Sequence, residues 1–326
     1  MHRLSPNALG AIFMMVSMLG FALNDAAMKA VLGRMDLFQA LFLRGMVATA
    51  LIGALAVRRR ALRPNMTGRD PWILALRLGS ELGGAWCFLH ALAALPIALA
   101  AAILQVMPLA VTLAAAVFLK EPLGWRRMTA ILIGFVGMLI IVRPGGEKFD
   151  ADALWAVASV GFFVSRDLST RSLSRNLHPA YVTLTTALAL TLMGGVGAAA
   201  LPWVPVDGQT MLIIVAAAVL VLIGYFFGVN AMRSGEIAMV SPFRYTILLW
   251  SMLAGAVVFG EIPDAMSLFG AAVIVGAGLY AFRREHALRR AAIRAGETPA
   301  VTGAAASPPI GRAGAVAPPP DGVRRG

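Results

Sequence analysis

The chain has 326 residues, of which 59% are hydrophobic and only 13% charged, with 28 Lys and Arg against 16 Asp and Glu, a formal charge of +12. A mean hydropathy of +0.79 excludes a soluble globular domain, which carries about twice that share of charge and cannot hide so many apolar side chains. The basic excess lies between apolar runs and in the C-terminal tail, which is the pattern of a multi-spanning membrane protein rather than of a nucleic-acid binder.

A bilayer core takes about 20 apolar residues per helix. Cutting the chain at charges, Pro and Gly predicts ten spans. The first five are 8–31, 36–57, 72–91, 96–119 and 128–143; the second five are 152–168, 178–201, 210–232, 236–260 and 265–282. The first is read as a retained helix, because its apolar run continues to Asp25, near the only small-residue site where a signal peptide could be cleaved. It ends in "FALNDAAMKA", where Asp25 and Lys29 stand one turn apart with the acid first, the favourable order for an ion pair. Such a pair either snorkels at the outer end of the helix or holds a titratable carboxylate toward a central pathway.

The second span carries Arg44, a cation that needs an anion, carbonyls or water; Asp25 and Glu81 are its candidate partners. In the third, Arg77 and Glu81 are spaced by four, so that Glu81 is either bridged to Arg77 or free to meet substrate or a proton. Trp86 lies at mid-helix depth, and His90 is expected to be hydrogen-bonded. Cys87 is the one cysteine, so no intrachain disulfide and no cysteine-based metal site is expected. Gln105 and Pro108 sit within the fourth span, and Glu121 follows it. In the second half, Tyr225, Phe226 and Asn230 lie in the eighth span, Arg244, Tyr245 and Trp250 in the ninth, and Glu261 just after it. The aromatic residues are either packing or the walls of a ligand cavity, in which Arg244, Gln105 and Asn230 would fix polar edges. Glu121 and Glu261 are read as structural, tying a loop or capping the helix that follows.

Loop charge sets the expected orientation. "RRRALRPNMTGRD" and "RREHALRR" are basic, whereas "GGEKFDAD" and the Glu261–Asp264 loop are acidic. Both termini are therefore expected in the cytoplasm, in a multi-pass protein of the cell inner membrane. Residues 84–143 align without gaps on 224–283, with Gly84/Gly224, Ala91/Ala231, Glu121/Glu261 and Arg143/Arg283 coinciding. At a nearby offset, "NDAAMK" faces "RDLSTR". Five spans per half is an odd number, so the halves are expected to be inverted repeats. The expected organisation is a first repeat at 1–143, a connecting loop at 144–151, a second repeat at 152–283, and a disordered basic, Pro-rich cytoplasmic tail at 284–326.

The stretch "HALAALPIALAAAILQVMPLAVTLAAAVFLKEPLGWRRMTAILIGFVGMLIIVRPG" resembles the EamA-like domain of the drug/metabolite transporter superfamily, as does "EIAMVSPFRYTILLWSMLAGAVVFGEIPDAMSLFGAAVIVGAGLYAFRRE". Its marks are the apolar helix with a central Pro, the Glu-Pro after it, the basic turn and the Gly-rich helix ending "VRPG". Arg44 in "LFLRGM" matches an arginine often found in the family's second helix. The second copy departs at the centre, with Leu248 for Pro108 and Arg244–Tyr245 for Leu104–Gln105.

The resemblance implies an all-α membrane protein of ten transmembrane helices in two inverted five-helix repeats, moving a small metabolite by alternating access. It also implies uptake of a flat vitamin-like compound such as riboflavin, with export of amino acids or other small metabolites as the alternative. A channel and an intramembrane enzyme are the non-carrier alternatives. The sequence shows no metal-ligand cluster, phosphate loop or nucleophile–base spacing, so no enzyme activity, metal or cofactor is expected. The expected partners are a small-molecule substrate and the lipid bilayer, with no nucleic acid and homodimerisation left open.

Overall fold

The computed structural model describes residues 5–58, 66–120, 123–144, 150–174, 177–234 and 237–294. The chain forms α1 (Pro6–Leu32), α2 (Leu37–Arg58), α3 (Asp70–Ala94), α4 (Ile97–Leu104), α5 (Met107–Phe118), α6 (Trp125–Val142) and α7 (Ala153–Ser172). It continues as α8 (Pro179–Ala199), α9 (Gly208–Ser234), α10 (Ile237–Val240), a 3-10 turn (Ser241–Tyr245), α11 (Thr246–Ala254), a π turn (Gly255–Phe259) and α12 (Ala265–Arg294). With α4–α5 and α10–π turn each counted as one span, these are the ten expected from the sequence, in a multi-pass membrane protein. Among the described residues, eight spans are long and apolar enough to cross a bilayer by length and composition. The other two, α3 and α7, carry Arg77, Glu81, Arg166 and Asp167 within them, and they pack on each other.

Local signals start the helices. Ser5 caps α1, its hydroxyl accepting from the Ala8 amide at 3.2 Å, and Pro6, Pro71 and Pro179 occupy first turns, where an amide hydrogen is not needed. α12 runs twelve residues past its expected end at 282, because "REHALRRAAIR" is rich in strong helix formers. Residues 295–326, with most of the expected tail, lie outside the described residues, as does Glu121.

Two spans are interrupted. Between α4 and α5 the amides of Gln105 and Val106 bond to Ala102 and Ile103 three residues back, both at 3.1 Å. Pro108 cannot donate to Leu104, so the helix tightens before it. The ninth span keeps no central Pro, yet it is also interrupted, with Pro242 inside the 3-10 turn. The repeat offset carries Gln105 onto Tyr245, so both interruptions fall at matching positions of the two halves.

The spans pack in pairs: α1 on α9, α3 on α7, α2 on α8 and α6 on α12. This is the pairing that a two-fold exchange of the five-span halves leaves unchanged. Small residues bring each pair close. A Cβ on Gly20 would lie 3.0 Å from the Leu220 carbonyl, one on Gly137 2.9 Å from the Gly270 carbonyl, and one on Gly194 2.5 Å from the Phe42 amide.

Hydrogen bonds join the loops of each face. Arg34 donates to Thr210 at 3.0 Å, and Gln39 exchanges bonds with the Val204 backbone at 2.7 and 3.0 Å. Arg143 pairs with Asp264 on the same face. Bonds from Ser267 and Arg143 hold the Asp264 carboxyl down at about 2. On the face that carries the start of α1, the Asp70 carboxylate accepts from Thr67 at 2.8 Å and from the Ser174 amide at 3.0 Å, tying the start of α3 to the end of α7.

The α2–α8 crossing should tolerate no added methyl. Gly194→Ala is expected to lose on the order of 1–3 kcal/mol to overpacking, read as a fall of several degrees in the unfolding midpoint of the detergent-solubilised protein. Gly79→Ala meets nothing within 4 Å and should unfold like the parent.

Candidate functional site

Charged side chains form a path through the bundle. Near its start, Arg244 on the 3-10 turn is exposed and lies in the field of Asp167 on α7. Asp167 accepts from its neighbour Arg166 at 2.8 Å, and Arg166 reaches across to Glu81 on α3 at 3.5 Å while its guanidinium lies 4.7 Å over the Phe163 ring. Arg77 is 4.0 Å from Glu81 but spends its donors on Thr170 at 2.9 Å and Thr186 at 2.6 Å, from α7 and α8. Beyond Glu81, Arg44 on α2 lies in the fields of both Glu81 and Asp25 and donates to Asn24 at 3.1 Å. Asn24 in turn donates to Asp25 at 2.9 Å.

The expected Asp25–Lys29 pair is not formed. Lys29 bonds Glu261 at 2.8 Å and the Leu95 carbonyl, and it lies 5.5 Å over the Phe259 ring. The second Glu261 oxygen accepts from the Ile97 amide at 2.9 Å. The reason is positional. At the far end of α1, the lysine meets a helix-terminal carbonyl and an acid together, which outbids a neighbour on its own helix. Glu261 thus ties α1, the α3–α4 corner and the ninth span on one face.

The aromatic candidates divide. Tyr225 is 55% exposed, lies in the field of Glu81, Arg166, Arg44 and Arg77, and meets the Phe21 ring edge-on at 5.2 Å. Trp250 packs beside Met14, Met18 and Phe21, and its indole nitrogen is buried without a hydrogen-bond partner among the described residues. Tyr245 does not turn inward: its hydroxyl lies against α12, where a Cβ on Gly278 would be 1.6 Å away. Trp86 meets the tilted His90 ring at 4.5 Å and Trp155 edge-to-face at 4.9 Å, a packed aromatic trio between α3 and α7. Asn230 bonds the Phe226 carbonyl of its own helix at 2.8 Å, and Phe226 itself is 64% exposed. Gln105 forms the α4–α5 interruption and is half-buried.

Sequence reasoning missed Arg166. Its signal was "RDLSTR" facing "NDAAMK", which placed Arg166 opposite Asn24, each next to an aspartate. Among the described residues no cluster of His, Cys, Asp and Glu could hold a metal ion.

Comparison with known proteins gives a family and several relatives. Residues 8–143 match the EamA-like transporter family. A riboflavin transporter of Vibrio cholerae serotype O1 is 32% identical over 220 residues, covering 67% of this chain and 72% of that protein. A riboflavin transporter of Rhizobium johnstonii is 28% identical over 276 residues, 85% of this chain and 91% of that one. An S-adenosylmethionine uptake transporter of Rickettsia bellii is 25% identical over 274 residues, 84% of this chain and 93% of that one.

The tie at Glu261 can be tested by exchange of charge. Lys29→Glu or Glu261→Lys alone leaves a poorly solvated charge and should cost on the order of 3 kcal/mol, seen as low membrane abundance and a lowered unfolding midpoint. The double exchange should recover only part of this, because the bonds to the Leu95 carbonyl and the Ile97 amide are not restored.

Proposed function

The chain belongs to the EamA-like transporter family, and on that premise we propose that it is a secondary carrier that takes up a metabolite built from a fused nitrogen heteroaromatic ring and a polyhydroxylated chain, of which riboflavin is the leading candidate. Riboflavin, for which two of its relatives are named, is built this way, and S-adenosylmethionine, for which another is named, shares the fused nitrogen heteroaromatic ring and carries its hydroxyls on a ribose ring. The observation that carries the reading is Tyr225, an exposed ring in the field of charged side chains from three other helices. A ring can stack on it while Arg44 and Arg244 offer planar forks of donors to carbonyl and ring-nitrogen edges. The interruptions at Gln105 and at Ser241–Tyr245 put irregular backbone within the matching spans of the two halves, and carriers of inverted-repeat design build their sites on such interrupted helices.

Loop charge favours the cytoplasm for the face that carries the start of α1. With the Lys29–Glu261 tie closing the opposite face and Arg244 exposed near the first, the conformation favours an interior open to the cytoplasm. Alternating access would then part the tie and close the other end.

Uptake of radiolabelled riboflavin into cells with and without the protein, beside a panel that includes S-adenosylmethionine and amino acids, tests the substrate. Saturable riboflavin uptake is expected; uptake of a different compound with none of riboflavin would refute the choice. Tyr225→Ala should raise the half-saturation constant about tenfold, the worth of a stacking contact, and Tyr225→Phe only slightly. Arg244→Lys should recover Arg244→Ala only in part, since lysine lacks the planar fork. For orientation, a cysteine at Met66 in a Cys87→Ser background should react with an impermeant reagent only after lysis, and one at Val204 in intact cells. The reverse pattern would invert the topology.

A further inference from the structure

Three carboxylates lie well inside the spans: Asp25, Glu81 and Asp167. Glu81 has Arg166 at 3.5 Å and Arg77 at 4.0 Å, and Asp167 has Arg166 at 2.8 Å. Asp25 differs. Among the described residues it has no cation at ion-pairing distance. Its bond comes from the neutral Asn24 amide at 2.9 Å, and Arg44, in whose field it lies, gives its own bond to the Asn24 oxygen instead. The lysine one turn on is held by Glu261. A carboxylate in low dielectric with one neutral donor changes protonation state more readily than one locked by a guanidinium.

From this we infer that Asp25 is the proton-binding group that couples transport to a proton gradient. The inference rests on the carrier reading above but not on riboflavin. The step is a simple one: a proton from one side of the membrane adds to a carboxylate oxygen of Asp25, giving the neutral acid, and later leaves to the other side. No other bond is made or broken.

The surroundings supply the coupling. The charged group whose field reaches Asp25 is Arg44 from α2, with Glu81 of α3 acting on that same guanidinium; Tyr225 of α9 meets Phe21, one turn before Asp25. Farther along the packed elements stand Arg77 and His90 on α3 and Arg233 near the end of α9. The turn before α11 brings Arg244, which lies in the field of Asp167, and α4, α10 and α11 bring no charged side chain. While Asp25 is ionised, its charge offsets Arg44. Once protonated it no longer does, and Arg44 must find acceptors elsewhere; the carbonyls of a bound substrate can supply them. Proton and substrate therefore favour each other's binding, as a symporter requires.

Two measurements test this. The first needs no substrate. Infrared difference spectra of the purified protein across a pH titration should show a protonated-carboxyl band that is absent in Asp25→Asn and retained in Glu81→Gln and Asp167→Asn. A spectrum unchanged by Asp25→Asn overturns the assignment, whatever the substrate. The second uses riboflavin in proteoliposomes, with the parent protein as the control that riboflavin is carried. An imposed inward proton gradient should drive accumulation that a protonophore abolishes. Asp25→Asn should lower accumulation by about tenfold or more while riboflavin exchange across the membrane stays within about threefold of the parent. Loss of exchange and accumulation together would make Asp25 structural or substrate-binding, and accumulation that follows sodium and survives protonophore would also overturn the proposal.

Discussion

The hydrocarbon of a bilayer offers no water to answer a charge, so a charged group within the spans must be answered by the protein or by water in its interior. A charged side chain at mid-membrane costs roughly 2.5–3.5 kcal/mol on insertion scales. Much of this structure follows from meeting that cost. The two least apolar spans, α3 and α7, have to adjoin, because Glu81 needs Arg166 and Arg77 needs the Thr170 hydroxyl. Their approach in turn depends on Gly83 and Gly84, over which the rings of Phe162 and Phe163 lie. Polar satisfaction and close helix packing thus act on the same surface.

The spans were legible in the sequence because a bilayer imposes a length that few other environments do. Their ends moved by only a few residues, except at α12, where helix propensity carries the chain beyond the apolar segment. The interruption of the fourth span could have been read from Pro108. That of the ninth could not be read from the repeat, since Leu248 replaces the proline and Pro242, six residues earlier, takes over the task of breaking the helix.

Side-chain partners were less legible. The Asp25–Lys29 spacing is a local signal, and it lost to an acid 232 residues away that only the fold brings near. Tyr245 looked like a companion of Arg244, but Gly278 leaves a notch on α12 that its ring fills instead. Arg166 went unnoticed because its value lies in a partner on another helix. In each case the deciding term was tertiary: which groups meet depends on helix rotation, and an apolar sequence with few charges gives little information about rotation.

The Lys29–Glu261 tie has a kinetic meaning. Its two side chains are 10% and 22% exposed, and parting them means drawing water to both ions and to the Leu95 carbonyl at once. Under the proposed cycle every turnover crosses that step on the way to opening this face, whether or not cargo is aboard. Such a barrier has a large enthalpic part, so the throughput of the carrier should climb steeply on warming and be slow in the cold. The same barrier limits idle flickering of the closed face, and with it the leak of ions that a more loosely fastened carrier would allow.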